Sequence, residues 1–239
     1  MSGHFSGAVI LVAGGTGGLG RAVSLAFLNQ DAKVVVTYRN PDEFASLQSE
    51  AGVHNSSLQG RRLDVTDVAA VGQLVEWIVK QHGRLDALVN TVGGYAGGIK
   101  LWDLDAAVFD RMLAVNLRAG FALAQAAVAP MLRQKHGAIV NVAAKAAFDH
   151  AAGASAYAAS KAGALAMMDS LAADTRGTGV RVNSILPSII ATEANRKAMP
   201  NADFSSWPKP EEITQVILFL CSDLAKAIHG AAIPVFGNS

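Results

Sequence analysis

The chain is predicted to be an α/β protein, a single doubly wound domain whose seven-stranded, mainly parallel sheet carries helices on both faces. Three observations point there. Short β-rich apolar runs alternate with longer segments of helical pattern; the runs are apolar on consecutive positions, as in Val9-Ile10-Leu11-Val12; and a cluster of glycines directly follows the first run. A strand covered by helices on both faces loses the alternation of a half-exposed one, and strands linked through helices run parallel. With 239 residues, 51% of them hydrophobic, one domain spanning 1–239 can bury a sizeable core.

Ala8 to Ala13 is the first strand, and the glycines after it open a helix near Leu19 to Asn29. Lys33 to Thr37 and Ser57 to Leu63 are the next strands, separated by a helix near Asp42 to Glu50. Asp67 is placed to cap a helix from Asp67 to Gln81, with Gly83 past its end. Strand Leu85 to Asn90 leads to the longest helical pattern, Ala106 to Gln134, which Gly137 follows. Then come strand Ala138 to Ala143, a helix from Ser155 to Arg176, and strand Val180 to Leu186. Pro187 to Pro210 is irregular and proline-containing, a candidate mobile lid over a site or else a surface excursion. Pro210, followed by Glu211 and Glu212, starts a helix to Leu220, and Ala231 to Val235 is the last strand.

Composition narrows the partners. The 20 basic and 19 acidic residues nearly cancel, which disfavours nucleic acid or an anionic membrane and suits a small-molecule ligand. The lone Cys221 sits in an apolar stretch, compatible with a buried thiol and a reducing compartment. Six histidines are scattered without metal-ligand spacing, so no metal is expected. Met1 to Gly7 lacks the pattern of a secretion signal and no apolar run is read as membrane-spanning, which makes cytoplasm the expected location.

Gly14-Gly15-Thr16-Gly17-Gly18-Leu19-Gly20 lies where strand one meets helix one. Absent side chains let backbone approach a pyrophosphate there, and the positive helix end attracts its charge, so a dinucleotide is expected. At the end of strand two, Tyr38-Arg39 offers a guanidinium where a carboxylate would receive a ribose 2′-hydroxyl. That charge suits a 2′-phosphate, suggesting NADP(H) as the preferred cofactor, with NAD(H) possible. Asp64 after strand three is placed either to accept from the adenine amino group or simply to turn the chain, and Val65 beside it joins the cofactor set.

Tyr157 and Lys161 stand four residues apart in a helical run. Four residues turn a helix by about 400°, so both groups project from one face. By itself such a pair is usually a solvated face. A neighbouring cation favours phenolate, so Lys161 is expected to lower the ionisation of Tyr157 from about pH 10 and make it an acid or base.

These pieces in this order resemble the short-chain dehydrogenase/reductase family over almost the whole chain, which implies a Rossmann-type fold and nicotinamide chemistry. Gly14, Gly18 and Gly20 fit its spaced glycines, Asn90-Thr91-Val92-Gly93 its strand-four cofactor motif, and Tyr157 with Lys161 its active-site pair. The resemblance makes Asn116 the support of a water relay, and has Lys161 both hold the nicotinamide ribose and depress the tyrosine. It also assigns Asn183, Pro187, Ile189 and Thr192 to the stretch that meets the nicotinamide carboxamide, with Ser188 where glycine is usual. Dimers or tetramers are implied, built through the Tyr157-bearing helix and the alanine-rich one at Ala106 to Gln134.

The main departure is Ala144, thirteen residues before Tyr157, where family members usually carry a serine that hydrogen-bonds the reacting oxygen. Losing that donor handicaps simple ketone chemistry by about 2–4 kcal/mol. Ser155 is a candidate replacement, but helix capping explains that residue better. Gly93 to Gly98, Ala144 to Asp149, Asn195 to Pro200 and Ala202 to Trp207 resemble the dihydropteridine reductase branch, which dispenses with the serine. Arg39 and Asn116 look like the other members instead. A flat pterin would suit Tyr95 or Trp207 as a stacking wall, unless Trp207 anchors the lid and Tyr95 merely faces solvent. The sequence therefore predicts an NAD(P)H-dependent reductase of a small conjugated imine or carbonyl substrate, including a quinonoid dihydropteridine. The alternatives are a broad quinone or carbonyl reductase and a non-catalytic NADP-binding sensor.

Overall fold

The structure, a computed structural model, describes residues 4–238; residues 1–3, which open the segment read for a leader, and residue 239 lie outside it. Among the described residues the strands are Val9–Ala13 (β1), Lys33–Tyr38 (β2), Leu58–Arg62 (β3), Ala87–Asn90 (β4), Gly137–Val142 (β5), Val180–Pro187 (β6) and Ala232–Val235 (β7). They form one sheet in the order β3-β2-β1-β4-β5-β6-β7, parallel at every pairing. The order reverses between β1 and β4, so a crevice opens beyond their carboxyl ends.

Helices Gly18–Leu28 (α1), Pro41–Ala51 (α2), Val68–His82 (α3), Ala106–Leu113 (α4), Ala119–Gln134 (α5), Ser155–Asp174 (α6), Glu193–Ala198 (α7) and Pro210–Cys221 (α8) surround the sheet. Ile10, Val12, Val89 and Val140 pack with Phe27 of α1 and Ile217 of α8. Their chain neighbours Leu11, Leu88 and Ile139 pack into the opposite layer with Ile78 of α3, Leu123 of α5 and Met168 of α6. Each fully buried Leu or Ile contributes roughly 1.5–3 kcal/mol, and with an apolar layer on both faces every strand position can contribute. That is why the runs read as continuously apolar.

The strands lie within two residues of their expected bounds. Asp67 caps α3 by accepting from Ala70 N at 3.1 Å, and Gly83 ends it at φ 77°. Glu212 closes the start of α8 by accepting from Lys209 N at 2.8 Å. Beyond α5, however, Lys135 takes the left-handed turn at φ 53°, while Gly137 begins β5 against Met131.

Two expectations change and one is refined. The helix from Ala106 to Gln134 runs unbroken as expected, but a π-helical turn over Ala114–Arg118 divides it into α4 and α5. That whole stretch is also long and apolar enough, by length and composition, to cross a membrane, contrary to the sequence reading; here Ala119, Leu123, Ala127 and Met131 bury one side of it in the core. Ser155 does not cap α6. Ala154 holds the cap position, and Ser155 Oγ is buried without a hydrogen-bond partner among the described residues.

The segment 187–210 folds into the end of β6, then α7 and a 3-10 turn over Phe204–Ser206. Bonds from Ala191 N to Pro208 O at 2.9 Å and from Asn238 N to Ser206 O at 3.0 Å tie it down.

Where β1 hands over to α1, a methyl group on Gly20 would sit 2.1 Å from the Gly14 carbonyl oxygen. Backbone cannot yield there as a flexible side chain would. Gly20→Ala is expected to lower stability by about 3 kcal/mol, read as a reduced denaturant midpoint with an unchanged slope. An unchanged midpoint would mean that α1 can shift away at no cost.

Candidate active site

The glycine loop is held by hydroxyl groups that the sequence reading passed over. Gly14, at φ 75°, donates its N–H to Thr37 Oγ1 at 2.9 Å, and Thr91 Oγ1 donates to Ala13 O at 2.7 Å. Methyl groups at positions 15 and 18 would lie 2.5 Å from Val36 Cγ1 and 2.7 Å from Thr192 Cγ2. Position 17 is more open, with only the Gly14 carbonyl oxygen nearby at 3.5 Å. Gly17 caps α1 and makes no side-chain bond to the first-turn amides, while Leu19 is buried under the loop. Bare backbone, free amides and a helix start together fit a pyrophosphate.

Arg39 is exposed at the end of β2, and its carbonyl accepts from Arg62 Nε at 3.1 Å. Asp64 Oδ1 accepts from Thr66 N at 2.9 Å and Thr66 Oγ1 at 2.8 Å, the chain-turning geometry. Those bonds, backbone first, hold its carboxyl below the usual range, and the Arg39 charge adds to the effect. Val65 beside it is buried.

Across the crevice, Asn90 Nδ2 donates to Asn141 Oδ1 at 2.9 Å, and Val92 N donates back to Asn90 Oδ1 at 3.1 Å. Asn116 sits in the π-helical turn. It accepts from Gly94 N at 2.9 Å and donates to Gly94 O and Ser160 Oγ, both at 3.0 Å. Ser160, wholly buried, donates in turn to Tyr157 O at 2.8 Å. Ser160 lies between Tyr157 and Lys161 in the sequence, but helical spacing gives it no partner.

A methyl on Gly93 would meet Asn116 Oδ1 at 3.0 Å and Lys161 Nζ at 3.1 Å. The structure thus brings Gly93, Asn116 and Lys161 together. Lys161 is buried and donates to Val142 O at 3.0 Å. Burial pushes its ammonium down to about 8. Tyr157 lies on the same helix, edge-to-face with Tyr95 at 5.0 Å. Burial chiefly, and then Tyr95, push its phenol up to about 12, opposite to the expected fall. Spacing puts a cation one helical turn away, but desolvation governs the ionisation of both groups. Burial thus keeps the phenol protonated across the neutral range and makes it a weaker acid than a free tyrosine.

Ala144 is buried just past β5, and Tyr95 is 70% exposed beside Tyr157. Pro187 closes β6, Ile189 is exposed, and Thr192 caps α7 by accepting from Asn195 N at 3.2 Å. Trp207 does not offer a wall. It is 7% exposed, with its ring 4.9 Å from that of Phe204, so it anchors the 187–210 segment.

The short chain dehydrogenase family model matches residues 8–203. A 3-oxoacyl-(acyl-carrier-protein) reductase of Thermotoga maritima is 33% identical, covering 98% of each chain. A D-threitol dehydrogenase of Mycolicibacterium smegmatis is 34% identical over 98% of this chain and 94% of its own length. Among solved structures, ElxO with NADP bound superposes with a TM-score of 0.91 at 25% identity, covering 96% of this chain and 97% of that one.

The buried lysine carries a measurable signature. Its ionisation in the fold, about 8, lies below its ordinary 10.5, so between those values the unfolded chain binds more protons and stability rises with pH. Below that window the full cost of burying the charge is present. Lys161→Met is expected to exceed wild type in stability at neutral pH by up to about 3 kcal/mol. That gap should shrink as pH climbs through the window, in denaturant titrations kept below the range where Tyr157 ionises. A gap independent of pH would contradict the burial account.

Proposed function

The chain belongs to the short-chain dehydrogenase family, and on that premise we propose that this NAD(P)-dependent oxidoreductase is an NADP(H)-preferring reductase of a flat, conjugated imine or carbonyl acceptor. A quinonoid dihydropteridine is the specific candidate. The observation that supports the reading is Tyr157 packed edge-to-face on Tyr95, on the helix whose buried Ser160 and Lys161 adjoin Asn116 and Gly93, in a chain with Ala144 where a hydroxyl is usual.

In this reading Gly14, Thr16, Gly17, Gly18 and Leu19 hold the pyrophosphate and Arg39 the 2′-phosphate. Asp64 and Val65 border the adenine, while Asn90, Gly93, Pro187, Ile189 and Thr192 surround the nicotinamide half. Bound there, the nicotinamide supplies hydride. Tyr157 supplies the proton, and Lys161 with Asn116 sets its orientation and recharges it. Ala144 gives the acceptor no hydroxyl partner. A saturated ketone needs that donor as its oxygen takes up charge, whereas a conjugated ring spreads the charge over its own atoms. Tyr95, exposed beside Tyr157, is the aromatic face against which such a ring would stack.

We read residues 1–239 as one domain with a substrate lid at 187–210. A second reading, a broad quinone or carbonyl reductase, draws on the named activities of the two relatives, which act on carbonyl and alcohol groups. The non-catalytic sensor is set aside, because retention of Tyr157, Lys161 and Asn116 serves proton handling that bare cofactor binding does not require. A second copy of the chain would cover the apolar groove of about 570 Å³ that Leu113, Leu117, Phe121 and Met167 line. Phe121 is 42% exposed there. Light scattering is expected to give a homodimer or homotetramer; a monomer at micromolar concentration would remove this assignment.

Tyr157→Phe is expected to cut kcat by at least about a hundredfold while NADPH binding stays nearly unchanged. Across quinonoid dihydropterin, quinone and saturated ketone acceptors, wild type should prefer the conjugated compounds, and Ala144→Ser should raise ketone turnover selectively. Full activity of the phenylalanine variant would end the Tyr157 assignment, and a saturated ketone as best wild-type acceptor would end the substrate assignment.

A further inference from the structure

Glu43 stands in the first turn of α2, and its Oε2 accepts a 2.8 Å hydrogen bond from Thr16 Oγ1 in the glycine loop. The two residues are 27 positions apart in sequence, and Thr16 is only 6% exposed while the glutamate is exposed. The helix that carries the carboxylate is fixed. Tyr38 and Phe44 stack with ring centroids 4.6 Å apart and planes 3° from parallel. Phe44 occupies the space that a side chain at Gly60 would need, with the nearest ring atom 2.4 Å from that Cβ position. Asn40 caps the helix by accepting from Asp42 N at 3.0 Å, and Arg21 Nη2 reaches Glu43 O at 3.4 Å. The glutamate therefore faces the loop because backbone packing puts it there.

Its charge matters because of what else lies at that end of the sheet. Arg39 supplies the cation at the end of β2, and Arg62 follows it on β3. Against them stand Glu43, Asp42 in the same helical turn, and Asp64, whose carboxyl feels the Arg39 charge. A dinucleotide phosphorylated on its ribose would bring further negative charge into this neighbourhood, whereas an unphosphorylated ribose would bring a hydroxyl donor. A carboxylate accepts from the second and repels the first. While it holds the Thr16 hydroxyl, it also withholds that donor from a phosphate.

We infer that Glu43 is a specificity-determining residue, delivered from a helix instead of a strand end, which opposes the 2′-phosphate that Arg39 attracts and keeps NADH usable beside NADPH. This rests on the cofactor reading given above. The chain thus carries an attractive device for one nucleotide and a repulsive one against it, so the preference is a small difference between two opposed charges.

Glu43→Gln keeps the shape and removes the charge. Dissociation constants for NADPH and NADH, measured by calorimetry on the purified protein, are expected to show the preference for NADPH rising about three- to tenfold, and less at high salt. In a Thr16→Val background the same substitution should change the preference by less than about twofold, because the carboxylate has lost its anchor. A ratio that is unchanged or lower in Glu43→Gln, or an equal shift for both nucleotides, overturns the inference while leaving the cofactor reading intact. Failure of wild type to bind either nucleotide would overturn both.

Discussion

The site is organised by one side chain, Asn116, whose carboxamide ties the loop after β4 to α6. Its oxygen and nitrogen satisfy both backbone groups of Gly94, and its second N–H reaches Ser160 on the helix that carries Tyr157 and Lys161. A buried amide with this many partners is costly to misplace, because each lost bond leaves a polar group dry. The π-helical turn that presents Asn116 is the local consequence. One extra residue per turn swings the amide inward, and insertions of this kind collect at functional positions.

Around that anchor, electrostatics follows from packing more than from pairing. Lys161 is pressed against Gly93 and bonded to Val142 O, out of water, so its charge is held weakly. Tyr157 lies in the same dry region and keeps its proton more firmly than in solution. Each group disfavours its charged form for the same reason. Both groups therefore lean toward their neutral forms. A ligand that brings its own charge into this low-dielectric region would alter that balance strongly.

Most of the fold was legible because it follows from periodicity and from glycine. Consecutive apolar residues in β1, β4 and β5 could only be strands with two covered faces, and Asp67 and Gly83 marked their helix ends chemically. What stayed hidden was set by tertiary contact. No glycine or proline marks the π-helical turn at Ala114–Arg118, because Asn116 reaching across to Gly94 decides it. Spacing put Lys161 near Tyr157, but only burial reveals that desolvation governs both. Ser155 has the identity of a cap and Trp207 that of a stacking wall, yet one lies inside the helix with its hydroxyl buried and the other is buried within the 187–210 segment.

Gly18 shows why even a correctly read motif can conceal part of its cause. In the sequence it belongs to a phosphate loop, and close backbone approach is reason enough for a glycine. In the structure a methyl at that position would strike Thr192 Cγ2 at 2.7 Å, so the same glycine also admits a residue from the 187–210 segment. Thr192 caps α7 with its hydroxyl while its methyl rests against the loop. The glycine loop and the 187–210 segment are therefore fitted to each other across more than 170 residues of chain. A motif records that a position tolerates no side chain, and only the packed neighbour tells which of two demands would be broken first.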